Sequence, residues 1–278
     1  MAIRTEKLGG TDWVDGNVLT AEDLVDTIDV NTKVNLINKF VIDEANDVQI
    51  FTESGTWTKP ITGSLVYVRV WGAGGSGGKY SSNSSLDYAT GGGGGAYSEK
   101  WFNIEDLGVT ENVTVGIGGA GVITQTSGNT GGTSSFGSHL TSTGGGGGRF
   151  WTSNASTPTA SGGRAGLSHG ILQTGVVAPR FDDSFANTWA DHIYGGAGGS
   201  GTNKGGNSLY GGAGGGIGRG GTSVTAGGIS VYGGNGGAGG RNGVDAGNGE
   251  YPAGGGGGTA GGIISGAGAN GKVEVYTF

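Results

Sequence analysis

Segments in which hydrophobic and polar residues alternate predict several short β-strands. The clearest is Leu65–Trp71, where Val66, Val68 and Val70 share one face, as expected of an extended strand with a two-residue period. The same alternation predicts further strands at 48–52, 96–102, 111–117 (with Val113, Val115 and Ile117 facing inward), 133–140 and 272–278. Residues 55–60, GTWTKP, are interpreted as a turn. Short strands separated by glycine turns favour a small β-sandwich.

Hydrophobic residues take a helical spacing before the first strand. Thr20 and Asp23 have the spacing of a capping box and predict an α-helix from about Ala21 to about Ile42. Its apolar stripe comprises Leu24, Ile28, Val30, Val34, Ile37 and Val41. The stripe suits a short coiled coil, or equally an amphipathic helix that packs on the chain's own β-domain. Together with Trp13 it is assigned to attachment and oligomerisation.

Glycine follows a third period in the second half of the chain. It recurs at three-residue steps at Gly195, Gly198 and Gly201, at Gly212, Gly215, Gly218 and Gly221, and at Gly234, Gly237, Gly240 and Gly243. Three residues per turn is the geometry of a polyproline II-type helix, which has no internal hydrogen bonds. Such segments can bond to one another, and only glycine lets the backbones approach closely enough. A flexible tether is the alternative, but residues such as Ile217 and Tyr232 interrupt the runs.

The expected fold class is therefore mostly β: a small β-sandwich merged with packed polyglycine II helices and preceded by one N-terminal α-helix. Two domains are expected. Residues 1–45 form the attachment segment and helix, and residues 46–278 form the glycine-rich domain. Within the second, 46–140 and 272–278 are strand-rich, and 141–271 hold the glycine helices and loops.

Composition narrows the function classes. The 278 residues include 70 glycines but only 4 prolines and no cysteine, and the formal net charge is −7. Few prolines and an irregular period exclude collagen. The acidic balance, with no Lys/Arg run, argues against nucleic-acid binding. No long apolar stretch predicts membrane insertion, and no hydrophobic signal core opens the sequence, so synthesis in a cytoplasm is expected.

Binding residues are expected in the non-glycine interruptions, because polyglycine segments carry no side-chain chemistry. Aromatic and arginine side chains beside small polar residues suit both sugar stacking and protein contact. The candidate binding residues are Phe150, Trp151, Tyr80, Tyr88, Arg180, Phe181, Trp189, His192 and Tyr194. Phe150 and Trp151 are favoured because their short segment offers little to bury them. The rings at 181, 185 and 189 could instead form a small core under a long loop.

Catalytic and metal sites lack a signature. His169, His192 and the aspartates near them show no metal-ligand spacing. A glycosidase would need two carboxylates about 5–10 Å apart, and pairs such as Asp183 and Asp191 carry no motif for this. A protein without cofactor, metal or enzymatic activity is expected. A depolymerase that acts on surface polysaccharide and a purely structural protein are the alternatives.

Several blocks, together with the leader, resemble phage tail proteins. The glycine-rich blocks, in chain order, are FTESGTWTKPITGSLVYVRVWGAGGSGG at 51–78, GGGGGAYSEKWF at 91–102, VTVGIGGAG at 113–121, GGTSSFGS at 131–138 and NGKVEVYTF at 270–278. They resemble the glycine-rich domain at the C-terminal tips of bacteriophage tail fibres and minor tail proteins. Residues 10–24 resemble the leader of phage tail-associated proteins.

The resemblance implies a virion protein of a tail or tail-fibre tip, assembled in the host cytoplasm, that binds the host surface. The implied partners are a cell-surface receptor, either a glycan or an outer-membrane protein, and other tail or baseplate proteins. Tail-fibre architecture and the apolar stripe together favour a homotrimer.

Overall fold

A computed structural model describes residues 45–82, 87–151, 193–195, 204–220 and 224–278. Residues Asn46–Phe278 form one compact unit. Its strands are β1 (Asp47–Phe51), β2 (Gly55–Thr58), β3 (Leu65–Trp71), β4 (Lys79–Tyr80), β5 (Tyr88–Ala89), β6 (Tyr97–Asn103), β7 (Thr110–Thr114), β8 (Ser134–Phe136), β9 (Leu140–Ser142), β10 (Phe150–Trp151), β11 (Gly218–Arg219), β12 (Gly240–Arg241), β13 (Thr259–Ala260) and β14 (Lys272–Thr277).

Two four-stranded antiparallel sheets enclose the hydrophobic core. One has the order β1-β14-β3-β6 and the other the order β2-β7-β8-β9. The core side chains of the first sheet are Val66, Val68, Val70, Phe102, Val273 and Val275, and those of the second are Trp57, Val113, Phe136 and Leu140. The predicted sandwich and the inward valines of β3 are thus confirmed.

Three local predictions need correction. Residues 55–58 form strand β2 rather than a turn, and Trp57 is fully buried against Phe136, with ring centroids 5.5 Å apart. Ile117 is 76 % exposed, because β7 ends at Thr114 and a three-residue glycine period replaces the alternation. The strand predicted at 133–140 is divided into β8 and β9 by a turn in which Gly137 has φ +50°, a conformation that favours glycine.

The predicted fold class is wrong in its α-helical part. Among the described residues there is no α-helix, and the single helical element is the 3-10 turn Ile104–Asp106. In the described residues, hydrophobic side chains alternate along the strands and glycines recur at every third position. Neither period forms an amphipathic α-helix. For the residues that the structure describes, the fold class is therefore corrected to mostly β without an α-helical component. The helix at 21–42, its apolar stripe and Trp13 lie outside the described residues.

The glycine segments pack laterally in a lattice, as the three-residue period predicts. Segment 72–78 donates its amides in rotation to three antiparallel neighbours, 90–96, 129–132 and 266–269. These bonds are Gly72, Gly75 and Gly78 to Ala96, Gly93 and Thr90 (2.8–3.0 Å), Ala73 and Ser76 to Gly132 and Asn129 (3.0 and 2.9 Å), and Gly74 and Gly77 to Ala269 and Gly266 (2.8 and 3.0 Å). This threefold rotation is polyglycine II packing.

The carbonyls of the same segment accept from three further neighbours. Gly145 and Gly148 donate to Ala73 and Ser76, Gly119 donates to Gly74, and Gly256 and Thr259 donate to Gly75 and Gly78, all at 2.9–3.0 Å. Segment 72–78 is thus surrounded by six others. We call this array the glycine lattice. It leaves little room for side chains: a Cβ atom on Gly77 would overlap the Gly257 carbonyl.

The lattice segments alternate in direction. Those that continue from β3, β7 and β9 run away from the sandwich, as do 211–217, 233–240 and 254–258, which bond in parallel register. Segments 90–96, 128–133 and 265–271 return to β6, β8 and β14. The lattice therefore has a sandwich end and an opposite end, which we call the distal face.

Candidate functional site at the distal face

The distal face is built where outward segments stop and the chain turns back. Two small sheets form there, one with the order β10-β5-β11 and the other with the order β12-β13-β4. The first is antiparallel, with Tyr88 opposite both Trp151 and Arg219. The second is parallel, with Ala260 between Arg241 and Tyr80. Residues far apart in the sequence are thereby fixed side by side.

Four of the predicted receptor-binding residues meet on this face. The half-buried rings of Tyr80 and Phe150 stack with centroids 6.2 Å apart and an interplanar angle of 29°. Trp151 pairs through its backbone with Tyr88. Tyr88 itself is buried, and its ring supports the Arg219 guanidinium at 4.9 Å. Tyr80 and Phe150 therefore form the accessible aromatic pair, with Tyr88 as an inner support.

Tyr194 lies at the sandwich end instead. Its ring is 6.2 Å from that of Tyr210, which stacks on Tyr97 at 5.2 Å and on Tyr232 at 5.3 Å. The Trp71 indole donates to the Tyr210 carbonyl at 2.8 Å. This aromatic cluster joins the lattice to the sandwich. The candidates Arg180, Phe181, Trp189 and His192 lie outside the described residues.

Sequence reasoning missed the exposed aliphatic residues of the distal face. Ile123, Val244, Ile263 and Ile264 are exposed at the turns that cap the lattice. The Val122 amide donates to the Ser265 hydroxyl at 2.9 Å, and the Ser265 amide donates to the Val122 carbonyl at 3.1 Å. These hydrogen bonds place the turn that contains Ile123 beside the turn that contains Ile263 and Ile264. Val244 and Ile263 directly follow a glycine, and this position is the signal in the sequence that points to them. Without the structure, the pattern indicates only that such residues interrupt the glycine scaffold.

Polar groups hold these turns in place. The buried Lys79 ammonium donates to the carbonyls of Gly262 and Ile263. Asp245 Oδ1 accepts from the amides of Ile263 and Ile264, both at 2.9 Å. Because charge-assisted bonds of this kind are stronger than neutral ones, the 261–264 turn is held from both sides.

Among the described residues, the side chains whose pKa is shifted lie away from the distal face: they are the Arg69 guanidinium and phenols of the sandwich and the adjoining turns. Burial raises the pKa of Tyr97, Tyr67 and Tyr276 above the usual value, and burial with the Glu274 carboxylate raises the pKa of Tyr251 to about 12. Tyr67 and Tyr97 donate to Glu99, and Tyr276 donates to Glu274 at 2.8 Å. All four phenols stay neutral near pH 7, and those of Tyr67, Tyr97 and Tyr276 act as donors in a structural network.

The described residues provide no group of three or more metal-ligating side chains close enough to hold an ion. Within the same residues, no helix has the length and apolar character needed to cross a bilayer. The chemistry that this face offers is aromatic, aliphatic and guanidinium contact on a fixed backbone.

Comparison with known proteins identifies a domain family. The glycine-rich domain family profile matches residues 51–277, which covers the sandwich and the lattice. No curated protein matches the chain.

Proposed function

The chain belongs to the family of glycine-rich domains, and we propose that it is a non-enzymatic receptor-binding protein of a bacteriophage tail or tail-fibre tip. In this proposal it is part of the virion, is assembled in the host cytoplasm, and contacts a host cell-surface receptor through the distal face. Its other partners are tail or baseplate proteins.

The observation that carries the proposal is the convergence of Tyr80, Phe150 and the exposed aliphatic residues on one face of a hydrogen-bonded lattice. Aromatic residues on a fixed backbone are typical of binding hot spots. Because the lattice already orders the turns, little conformational entropy remains to be lost when a receptor binds.

A homotrimer would strengthen such contacts. Several copies on one particle convert later binding events into intramolecular ones, so avidity exceeds the affinity of a single face by orders of magnitude. Residues 1–45 are proposed to attach the chain to the tail and to bring the copies together. The short phage-like leader at 10–24 supports this assignment.

Competition for adsorption tests the proposal. Purified protein is incubated with host cells, and the fraction of phage that subsequently adsorbs is counted. Wild-type protein should block adsorption, and the double variant Tyr80→Ala, Phe150→Ala should need at least about tenfold more protein, because each hot-spot ring contributes about 1–2 kcal/mol.

Trp101→Ala is the matched control, since this ring is 48 % exposed but lies on the sandwich, stacked on Tyr67 at 4.6 Å. It should block as well as the wild type. Equal blocking by the distal variant, or no blocking by any protein, would contradict the proposal. Incubation with isolated surface polysaccharide distinguishes the depolymerase, because shortened chains would show enzymatic activity.

A further inference from the structure

Basic residues follow the glycine runs at one end of the lattice. Four of its outward segments continue directly into lysine or arginine: Gly78 is followed by Lys79, Gly148 by Arg149, Gly218 by Arg219 and Gly240 by Arg241. Because all four segments run in the same direction, these residues are brought to the distal face. We infer that the distal face binds an anionic glycan, recognised by guanidinium groups beside aromatic and aliphatic residues. This ligand class rests on the proposed receptor-binding role.

The arginines are held by their surroundings. The backbone of exposed Arg149 is fixed by buried Thr90, whose Oγ1 accepts from the Arg149 amide at 2.7 Å and whose amide donates to the Arg149 carbonyl at 2.7 Å. Arg219 lies on the Tyr88 ring. Arg241 exchanges bonds with Val244 at 3.0 and 2.6 Å. The guanidinium groups of these three arginines therefore extend from backbone positions that are held in place by their neighbours.

Charge is segregated between the two ends of the described structure. Near the distal basic residues the described carboxylates are Asp87, which is buried, and Asp245, which accepts from two backbone amides. The carboxylates of the sandwich end and its surroundings are Asp47, Glu53, Glu99, Glu105, Asp106, Glu111, Glu250 and Glu274. They outnumber the Lys59, Arg69, Lys100 and Lys272 cations there.

This asymmetry decides which ligand the face favours. The protein has a net charge of −7 but a basic distal end. An anionic surface repels the acidic end and attracts the basic end, so the distal face approaches first. Guanidinium groups bind phosphate and carboxylate in a bidentate manner. The Tyr80 and Phe150 rings and the exposed Ile263 offer apolar surface to sugar rings, which a bare polyanion would not use.

Three forms of one polymer test the inference. The full chain is measured by biolayer interferometry against immobilised dextran, carboxymethyl dextran and dextran phosphate of equal length, with inorganic polyphosphate as a sugar-free polyanion. The wild type should bind one or both charged dextrans at least tenfold more tightly than neutral dextran and more tightly than polyphosphate. The ratio between the two charged forms distinguishes carboxylate from phosphate.

Arg149→Gln with Arg241→Gln removes two distal charges. The double variant should lose at least about tenfold in affinity at low salt, and log K should depend less steeply on log salt than in the wild type, because two ionic contacts are lost. Lys59→Gln with Lys100→Gln removes the same charge from the sandwich and should change affinity less than about twofold. Arg149→Lys with Arg241→Lys retains the charge but not the bidentate geometry, so it should bind more tightly than the Gln variant and less tightly than the wild type, which separates charge loss from misfolding.

Some results would overturn the anionic glycan. They are equal binding to neutral dextran, tighter binding to polyphosphate, absence of binding to every polymer, or equal losses in the distal and control variants. Adsorption blocking separates the two proposals. If the wild type and Arg149→Gln, Arg241→Gln block adsorption equally, the ligand class is wrong and the receptor-binding role stands. If the wild type binds charged dextran but never blocks adsorption, the receptor-binding role fails.

Discussion

Gly77→Ala should destabilise the glycine lattice more than its single methyl group suggests. A Cβ atom at this position would overlap the Gly257 carbonyl and lie 2.6 Å from the Gly258 amide nitrogen. All of these are backbone atoms, so no side chain can turn away and segments 72–78 and 254–258 must separate. The separation strains the bond from Gly256 to Gly75 at 2.9 Å and the adjoining bond from Thr259, the next residue after the segment, to Gly78 at 3.0 Å.

The expected loss follows from these contacts. Overpacking of a close-packed interior costs about 1–3 kcal/mol, and weakening two buried hydrogen bonds adds about 1 kcal/mol each. The free energy of unfolding should therefore fall by about 3–5 kcal/mol. For a domain of this size the melting temperature should fall by roughly 6–20 °C.

Chemical denaturation and hydrogen exchange measure the effect. Gly55→Ala is the control, because a Cβ there meets only the Phe51 ring at an ordinary 3.5 Å, so its effect should stay within about 1 kcal/mol. In Gly77→Ala, the amides of Gly256 and Thr259 should exchange faster than those of the sandwich. A change below about 0.5 kcal/mol with unchanged exchange would refute close backbone packing.

Three other predictions concern the core, the phenol of Tyr251 and the distal turns. Trp57→Ala should lower the free energy of unfolding by about 3–5 kcal/mol in urea titration, since a fully buried ring is lost; a loss below 1 kcal/mol would contradict the β2 assignment. Burial and Glu274 raise the pKa of Tyr251 from 10 to about 12, so its contribution to folding stability is complete below pH 10 and is lost as the pH rises through 12. The free energy of unfolding should therefore fall between pH 10 and 12, and it should fall less in Tyr251→Phe. Identical stability profiles of the two proteins would show that Tyr251 does not contribute. Asp245→Ala should speed amide exchange at Ile263 and Ile264, both bonded to its carboxylate, while the melting temperature stays nearly constant; unchanged exchange would show that Lys79 alone holds the turn.

Local sequence patterns correctly predict the elements that have a clear period of hydrophobic residues or glycines. Val66, Val68 and Val70 alternate and are buried, and the described glycine triplets in 212–218 and 234–243 bond laterally as their period requires. Gly198, Gly201 and Gly221 lie outside the described residues. Trp57 was missed because GTWTKP contains one large hydrophobic residue among turn-forming residues. Its strand is stabilised by pairing with β7 and by contact with Phe136, neither of which local propensity records.

The candidate site was predictable in its residue types and not in its location. Phe150, Tyr80 and Tyr194 all adjoin glycine runs, yet the first two lie at the distal face and the third at the sandwich end. The difference depends on which way each segment runs, and glycine carries no side chain that encodes direction. Direction comes instead from hydrogen bonds between residues 50 to 200 positions apart, such as Gly75 with Gly256 and Ser76 with Asn129.

Strand β14 lies between β1 and β3 in the first sheet, and this order constrains how the nascent polypeptide matures. Val273 and Val275 fill the centre of the core but leave the ribosome after all the other strands that the structure describes. Until they arrive, β1 has no partner on the side that β14 will occupy, and the valines of β3 face an incomplete interior. The sandwich therefore closes after translation of the glycine region. Stalled fragments that end before Lys272 expose hydrophobic surface and unpaired strand edges to chaperones and proteases.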